Sequence, residues 1–191
     1  MRGIDVFMNS LVLHDVDTMF GNPGTTENPL LDNLIDYPDF NYYVTLHEGV
    51  AVGAAGFYAQ ATGKTGLVNL HVAPGLGNAI GMMYGAMKAK SPMIITAGQQ
   101  DLRMRLRDPL LSHDLVSMAA PVTKWSAEPR TADEVGEVMR RAFLIANQEP
   151  KGPVFVALPI NVMAQETELA ALGPSHFAQA HEAEAQGIER V

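Results

Sequence analysis

The sequence predicts a doubly wound α/β domain, with a mainly parallel sheet covered by helices on both faces. Short apolar runs alternate with segments of helical periodicity, several runs are too uniformly apolar for a strand with one wet face, and Gly- and Pro-containing turns mark the junctions. Ile4, Phe7, Met8 and Leu11 fall on one helical face, so a helix opens the chain. Residues 18–20 read as a short strand ending in a glycine-bounded turn, followed by a helix over 27–35 and a strand over 42–46. An Ala- and Gly-rich helix over 49–61 precedes a buried strand over 66–71. A helix over 78–88 and a strand over 93–97 come next. The series closes with a helix over 133–146 and a strand over 154–158, with 122–125 as a further candidate strand. Strands separated by helices of this length join through right-handed crossovers.

Composition bounds the function. The 191 residues are 47% hydrophobic and 18% charged, enough for one substantial core. Residues 1–162 are assigned to that domain. Residues 163–191, rich in Ala, Glu, Gln and His with little apolar periodicity, are assigned to a linker or tail. Lys and Arg number 13 against 21 Asp and Glu, a net charge of -8, which argues against nucleic acid or an anionic membrane as partner. The absence of cysteine removes disulfides, thiolate chemistry and Cys-ligated zinc. With no signal-like or spanning apolar run, the expectation is an unprocessed, soluble, cytoplasmic protein.

In open α/β sheets ligands gather beyond the carboxyl ends of the strands, and three strand-to-helix junctions here are chemically unusual. Phe20-Gly-Asn-Pro-Gly-Thr-Thr-Glu27 presents backbone amides and the hydroxyls of Thr25 and Thr26, although a Thr followed by Glu also suits a plain helix cap. Leu46-His-Glu-Gly49 sets Glu48 between a strand, read as buried, and a helix of small residues. The helix N-terminus favours the charged carboxylate and desolvation the neutral acid. Where desolvation wins, such a group exchanges a proton with a bound nitrogen heterocycle. An exposed first-turn glutamate serving the helix dipole is the alternative. Leu70-His71-Val-Ala-Pro-Gly-Leu-Gly-Asn78 places a histidine at a strand end, before glycines that let backbone approach a ligand. Gly75, Gly77 and Gly81 miss the dinucleotide fingerprint by one residue, which leaves nucleotide binding as a competing reading.

These junctions occur in order with Gly56-Phe-Tyr-Ala-Gln60, Ser91-Pro92, Thr96-Ala-Gly-Gln-Gln100, Lys124-Trp-Ser126 and Gly152-Pro-Val154. As a set they resemble the N-terminal, pyrimidine-binding domain of thiamine-diphosphate enzymes, most nearly the benzoylformate decarboxylase group, over most of the chain. The resemblance implies decarboxylation of a 2-oxo acid, with Glu48 bonding the pyrimidine ring nitrogen and so activating the cofactor. It implies that Pro23, Gly24, Gly75 and Asn78 line the cofactor. It gives His71 the handling of protons during addition to the keto group, a histidine that separates this group from acetolactate synthases. Thr25 stands where the group has a serine that contacts the substrate carboxylate, and Leu110 and Leu111 match substrate-pocket leucines. Arg103, Arg105 and Arg107 depart from the pattern and suit either an anionic group on the substrate or a surface or subunit contact. His113 is a candidate pocket member or a solvated loop histidine.

The family holds the diphosphate and its magnesium in a separate domain marked by Gly-Asp-Gly, and this sequence contains no Gly-Asp-Gly. The expected partner is therefore a diphosphate-binding domain, on the same longer polypeptide or a separate subunit, with the chain inactive alone and paired as a homodimer. Competing readings are the small subunit of a split sulfopyruvate- or phosphonopyruvate-type decarboxylase, an acetolactate-synthase-like carboligase, and a non-catalytic interaction module.

Overall fold

A computed structural model describes residues 1–175. In chain order the elements are α1 (Gly3–Leu13), β1 (Thr18–Gly21), a 3-10 turn (Thr25–Glu27), α2 (Asn28–Asn33), a second 3-10 turn (Leu34–Asp36), β2 (Asn41–Val44), α3 (Glu48–Thr62) and β3 (Gly66–Leu70). Then follow α4 (Val72–Lys88), β4 (Met93–Gln99), a 3-10 segment (Leu102–Arg107), α5 (Leu115–Ala119), a turn (Ala120–Val122), β5 (Ser126–Ala127), α6 (Ala132–Asn147), β6 (Pro153–Pro159) and α7 (Ile160–Ala164). The six strands form one sheet in the order β2-β1-β3-β4-β6-β5, and every pairing is parallel.

The alternation of strand side chains builds two cores. On β6, Val154, Val156 and Leu158 join Ile4, Phe7, Met8 and Leu11 of α1 and Met139 and Phe143 of α6 on one face. Phe155 and Ala157 turn to the other face, where Ala51, Val52 and Ala55 of α3 and Leu76, Ala79 and Met83 of α4 pack. The second face is rich in alanine, with Ala51 and Ala55 of α3 and Ala79 and Ala86 of α4, which lets the two helices lie close together over the sheet.

Four expectations need correction. The helix expected from residue 78 begins at Val72, because proline is tolerated in a first turn, and Pro74 and the glycines are taken into the helix. The expected strand over 122–125 is a turn followed by the two-residue strand β5. The helix expected over 27–35 is a short α2 flanked by two 3-10 turns. The strand before Glu48, read as buried, is the exposed edge of the sheet, with Val44 67% and Leu46 98% exposed; apolar runs alone do not separate edge from interior strands. Beyond α7, Gln165 accepts from the Gly3 amide, and Thr167 donates to the Met1 carbonyl, so residues 165–167 lie along the start of α1. Residues 176–191 of the segment assigned to a tail lie outside the described residues. No helix among the described residues is long and apolar enough to cross a membrane.

One half-buried histidine gives the fold a pH dependence. His14 follows α1, stacks on Phe143 with ring centroids 4.0 Å apart, and donates from Nδ1 to the Ser10 carbonyl at 2.8 Å. Its Nε2 is buried without a partner, and burial holds the imidazole below its ordinary range. Because the folded value lies below the unfolded one, the stabilisation is complete above about pH 6.5 and is lost as pH falls through the folded value. Thermal melts between pH 7.5 and 5 are expected to show a fall in Tm that His14→Gln flattens.

Candidate active site

The strand order reverses between β1 and β3, and the loops leaving their carboxyl ends diverge to leave a crevice, the usual place for a ligand in an open parallel sheet. The turn after β1 enters it from one side, the start of α4 from the other, and the start of α3 from the edge strand β2. Glu48, the first residue of α3, is buried at 6% exposure. Its two carboxylate oxygens accept from separate amides, Oε1 from Asn22 Nδ2 at 3.1 Å and Oε2 from Asn78 Nδ2 at 3.0 Å. Three elements thus converge on one carboxylate. His47, just before it, caps α3 by accepting the Gly49 amide on Nδ1 at 3.0 Å.

Beside this carboxylate lies a second polar group. His71, at the end of β3, has Nδ1 2.8 Å from Glu27 Oε2. Glu27 is 2% exposed and also accepts the Gly24 amide on Oε2 and the Thr26 hydroxyl on Oε1, both at 2.7 Å. Two glycines make room for this arrangement. A Cβ on Gly24 would lie 2.2 Å from the His71 ring, and one on Gly98 would lie 1.9 Å from Glu27 Oε1. Gly75 separates the two groups: a Cβ there would meet Glu48 Oε1 at 3.2 Å and the His71 Cβ at 3.5 Å. The chain leaves the sheet sharply after His71 because Val72, buried and β-branched, has φ 42°. Such a conformation costs about 1–3 kcal/mol and persists where the surroundings impose it. Burial, reinforced by the Glu27 charge, raises the Tyr42 hydroxyl well above its ordinary range, so it remains a neutral donor, 3.5 Å from Asn69 Oδ1.

Residues 1–118 match the family described as thiamine pyrophosphate enzyme, N-terminal TPP binding domain. The chain belongs to this family. It is similar to benzoylformate decarboxylase of Pseudomonas aeruginosa, 40% identical over 167 residues that make up 86% of this chain and 30% of the relative. The mitochondrial acetolactate synthase catalytic subunit of Saccharomyces cerevisiae is 32% identical over 86% of this chain and 24% of its own. Among solved structures, the thiamine diphosphate-dependent 4-hydroxybenzoylformate decarboxylase of Rhodococcus jostii superposes with TM-score 0.88 at 33% identity, over 100% of this chain and 36% of that one. Benzoylformate decarboxylase of Polynucleobacter necessarius gives TM-score 0.86 at 36% identity, over 94% of this chain and 33% of the other. This thiamine-enzyme domain therefore spans about a third or less of the relatives it matches.

The expected site residues of the domain separate into two groups. Glu48, His71, Gly24, Gly75 and Asn78 come together in the crevice, and Pro23 and Thr25 lie in the same turn, Pro23 half-buried and Thr25 exposed. Leu110 and Leu111 belong to the segment after β4; Leu110 is 84% exposed and Leu111 half-buried. Arg103 is paired with Asp101 at 2.5 Å, and Arg105 with Glu128. Those two guanidiniums already hold carboxylates, and Arg107 is exposed. His113 is exposed, and its carbonyl accepts from Gln99 Nε2 at 2.8 Å. Asn22, Glu27 and Gly98 are not singled out from the sequence as site residues, and Thr26 only as a hydroxyl of the first junction. Their signal lay inside the 20–27 and 96–100 motifs, where polar side chains flank glycines at strand ends.

Proposed function

We propose that this chain is the pyrimidine-binding domain of a thiamine-diphosphate-dependent 2-oxo acid decarboxylase of benzoylformate decarboxylase type. It works against a diphosphate-binding domain that lies outside this sequence, on the same polypeptide or a separate subunit. The observation that carries the reading is the buried Glu48 carboxylate, held between two neutral amides and set beside a histidine in the β1/β3 crevice. The residues fit the cofactor. A carboxylate has about four acceptor positions, so each Glu48 oxygen keeps room for a further donor, and Gly75 leaves the space beside Oε1 clear.

Thiamine diphosphate, when bound, supplies the electron sink that loss of carbon dioxide requires. Glu48 holds and returns a proton at the pyrimidine ring nitrogen, while Asn22 and Asn78 fix the direction of its carboxylate. His71 exchanges a proton at the substrate's keto oxygen, and the exposed Thr25 hydroxyl meets the substrate carboxylate. Pro23 and Gly24 line the cofactor, Leu110 and Leu111 the substrate. The partner domain supplies the magnesium site. A histidine at position 71 favours simple decarboxylation over the carboligation of acetolactate synthases. Leu46, Val50, Phe57 and Met82 present exposed apolar surface around α3 and α4, next to Glu48, which supports cover by a partner domain and by a second copy of the chain.

The test is carbon dioxide release from benzoylformate and from short aliphatic 2-oxo acids by the native enzyme, isolated with any chain that co-purifies. Cofactor-dependent release from the aryl acid is expected. An enzyme that binds thiamine diphosphate and releases carbon dioxide from none of these acids would overturn the reading.

A further inference from the structure

We propose that Glu27 is the positioning residue for His71: it fixes the imidazole tautomer so that Nε2 is the free ring nitrogen, and it stabilises the ring when it takes up a proton there. The inference rests on the reading of His71 as the proton-exchanging group. An ionised carboxylate only accepts, so the 2.8 Å contact to Glu27 Oε2 requires His71 Nδ1 to donate. In the neutral ring the lone pair is then on Nε2, the tautomer a general base needs.

The surroundings are built to keep Glu27 in this role. Its side chain is 1% exposed against 27% for His71, so the glutamate is sealed inside the fold while the imidazole reaches the crevice. The Gly24 amide and the Thr26 hydroxyl compensate its buried charge, and Thr26 Oγ1 also lies 3.4 Å from His71 Nδ1. Gly98 leaves the space that the carboxylate fills. The titratable groups facing the pair are Tyr42 on β2, kept neutral beside Glu27, and Glu48 on α3, across the Gly75 backbone. Cap chemistry alone would satisfy Gly24 without bringing in a histidine 44 residues away.

The experiment combines ring nitrogen NMR of His71 in the 191-residue chain with the pH profile of kcat/KM in the assembled enzyme. The wild-type ring is expected as the Nδ1–H tautomer. Glu27→Gln preserves the geometry, because its amide oxygen takes the place of Oε2 and its NH2 donates to Thr26. In that variant the tautomer is expected to persist while the His71 titration midpoint falls by about one pH unit or more, with the His71-dependent limb of the profile moving the same way. A purely structural glutamate would leave both unmoved. An Nε2–H tautomer in the wild type, or an unchanged midpoint in a folded Glu27→Gln chain, would overturn the proposal. His71→Ala separates the two levels: wild-type decarboxylation in that variant removes the functional reading of His71 itself. Impaired decarboxylation there, with an unmoved Glu27→Gln titration, removes Glu27 alone.

Discussion

Glu48→Gln is expected to lower decarboxylation by the assembled enzyme about 10²–10⁴-fold, the usual weight of a positioned acid–base group, while the fold is retained. The substitution keeps the length and shape of the side chain and removes its charge. Buried between Asn22 and Asn78, the glutamine still has one amide to accept from, so α3 and the turn after β1 remain docked. On the proposed reading of Glu48, the amide cannot take over its proton exchange with a ring nitrogen. Glu48→Asp keeps the charge but withdraws it by one methylene from both amides, and an intermediate loss is expected. Single-turnover carbon dioxide release, with circular dichroism of each variant, reads both quantities. A folded Glu48→Gln enzyme within tenfold of wild type would take Glu48 out of the chemistry.

Phe155→Ala is expected to destabilise the chain by about 3–5 kcal/mol. Phe155 is fully buried on β6, in register with Ile95 of β4 and Ser126 of β5, and it points to the face shared with α4 and α5. It is the one aromatic side chain among the buried residues of that cluster, where Ala97, Ala119 and Ala157 offer little volume to move into the gap. The cavity therefore stays open, and the cost lies toward the upper part of the large-to-small range. Urea unfolding with an unchanged m-value and a lowered midpoint is the expected signature. A loss below about 1 kcal/mol would mean that the two-sided sheet is packed differently.

Both residues are legible in the sequence; the partners that Glu48 meets are not. Phe155 belongs to an apolar strand run, and strand and helix periodicity are local properties, so the α/β class and most of the strands follow from the sequence. Glu48 was equally legible, because a carboxylate at the junction of a strand and a helix of small residues is conspicuous within four positions. Its neighbours were not. Asn22 reaches it across 26 residues and Asn78 across 30, and these are contacts that only the parallel sheet order creates. The Glu27–His71 pair spans 44 residues, and in the sequence Glu27 reads as an ordinary cap, which it also is. The exposed edge position of β2 was missed for a related reason: its tyrosines and Val44 suit a buried strand as well as an edge, and strand order tells which side lacks a neighbour. The sequence by itself determined most of the segments that form strands and helices and that a carboxylate stands where a strand gives way to a helix of small residues, because hydrophobic period and turn chemistry act within a few residues; that this carboxylate is buried was decided by the tertiary structure. The tertiary structure decided which side chains meet there, because the loops after β1, β2 and β3 share one end of the sheet only once the strands have been placed in parallel order.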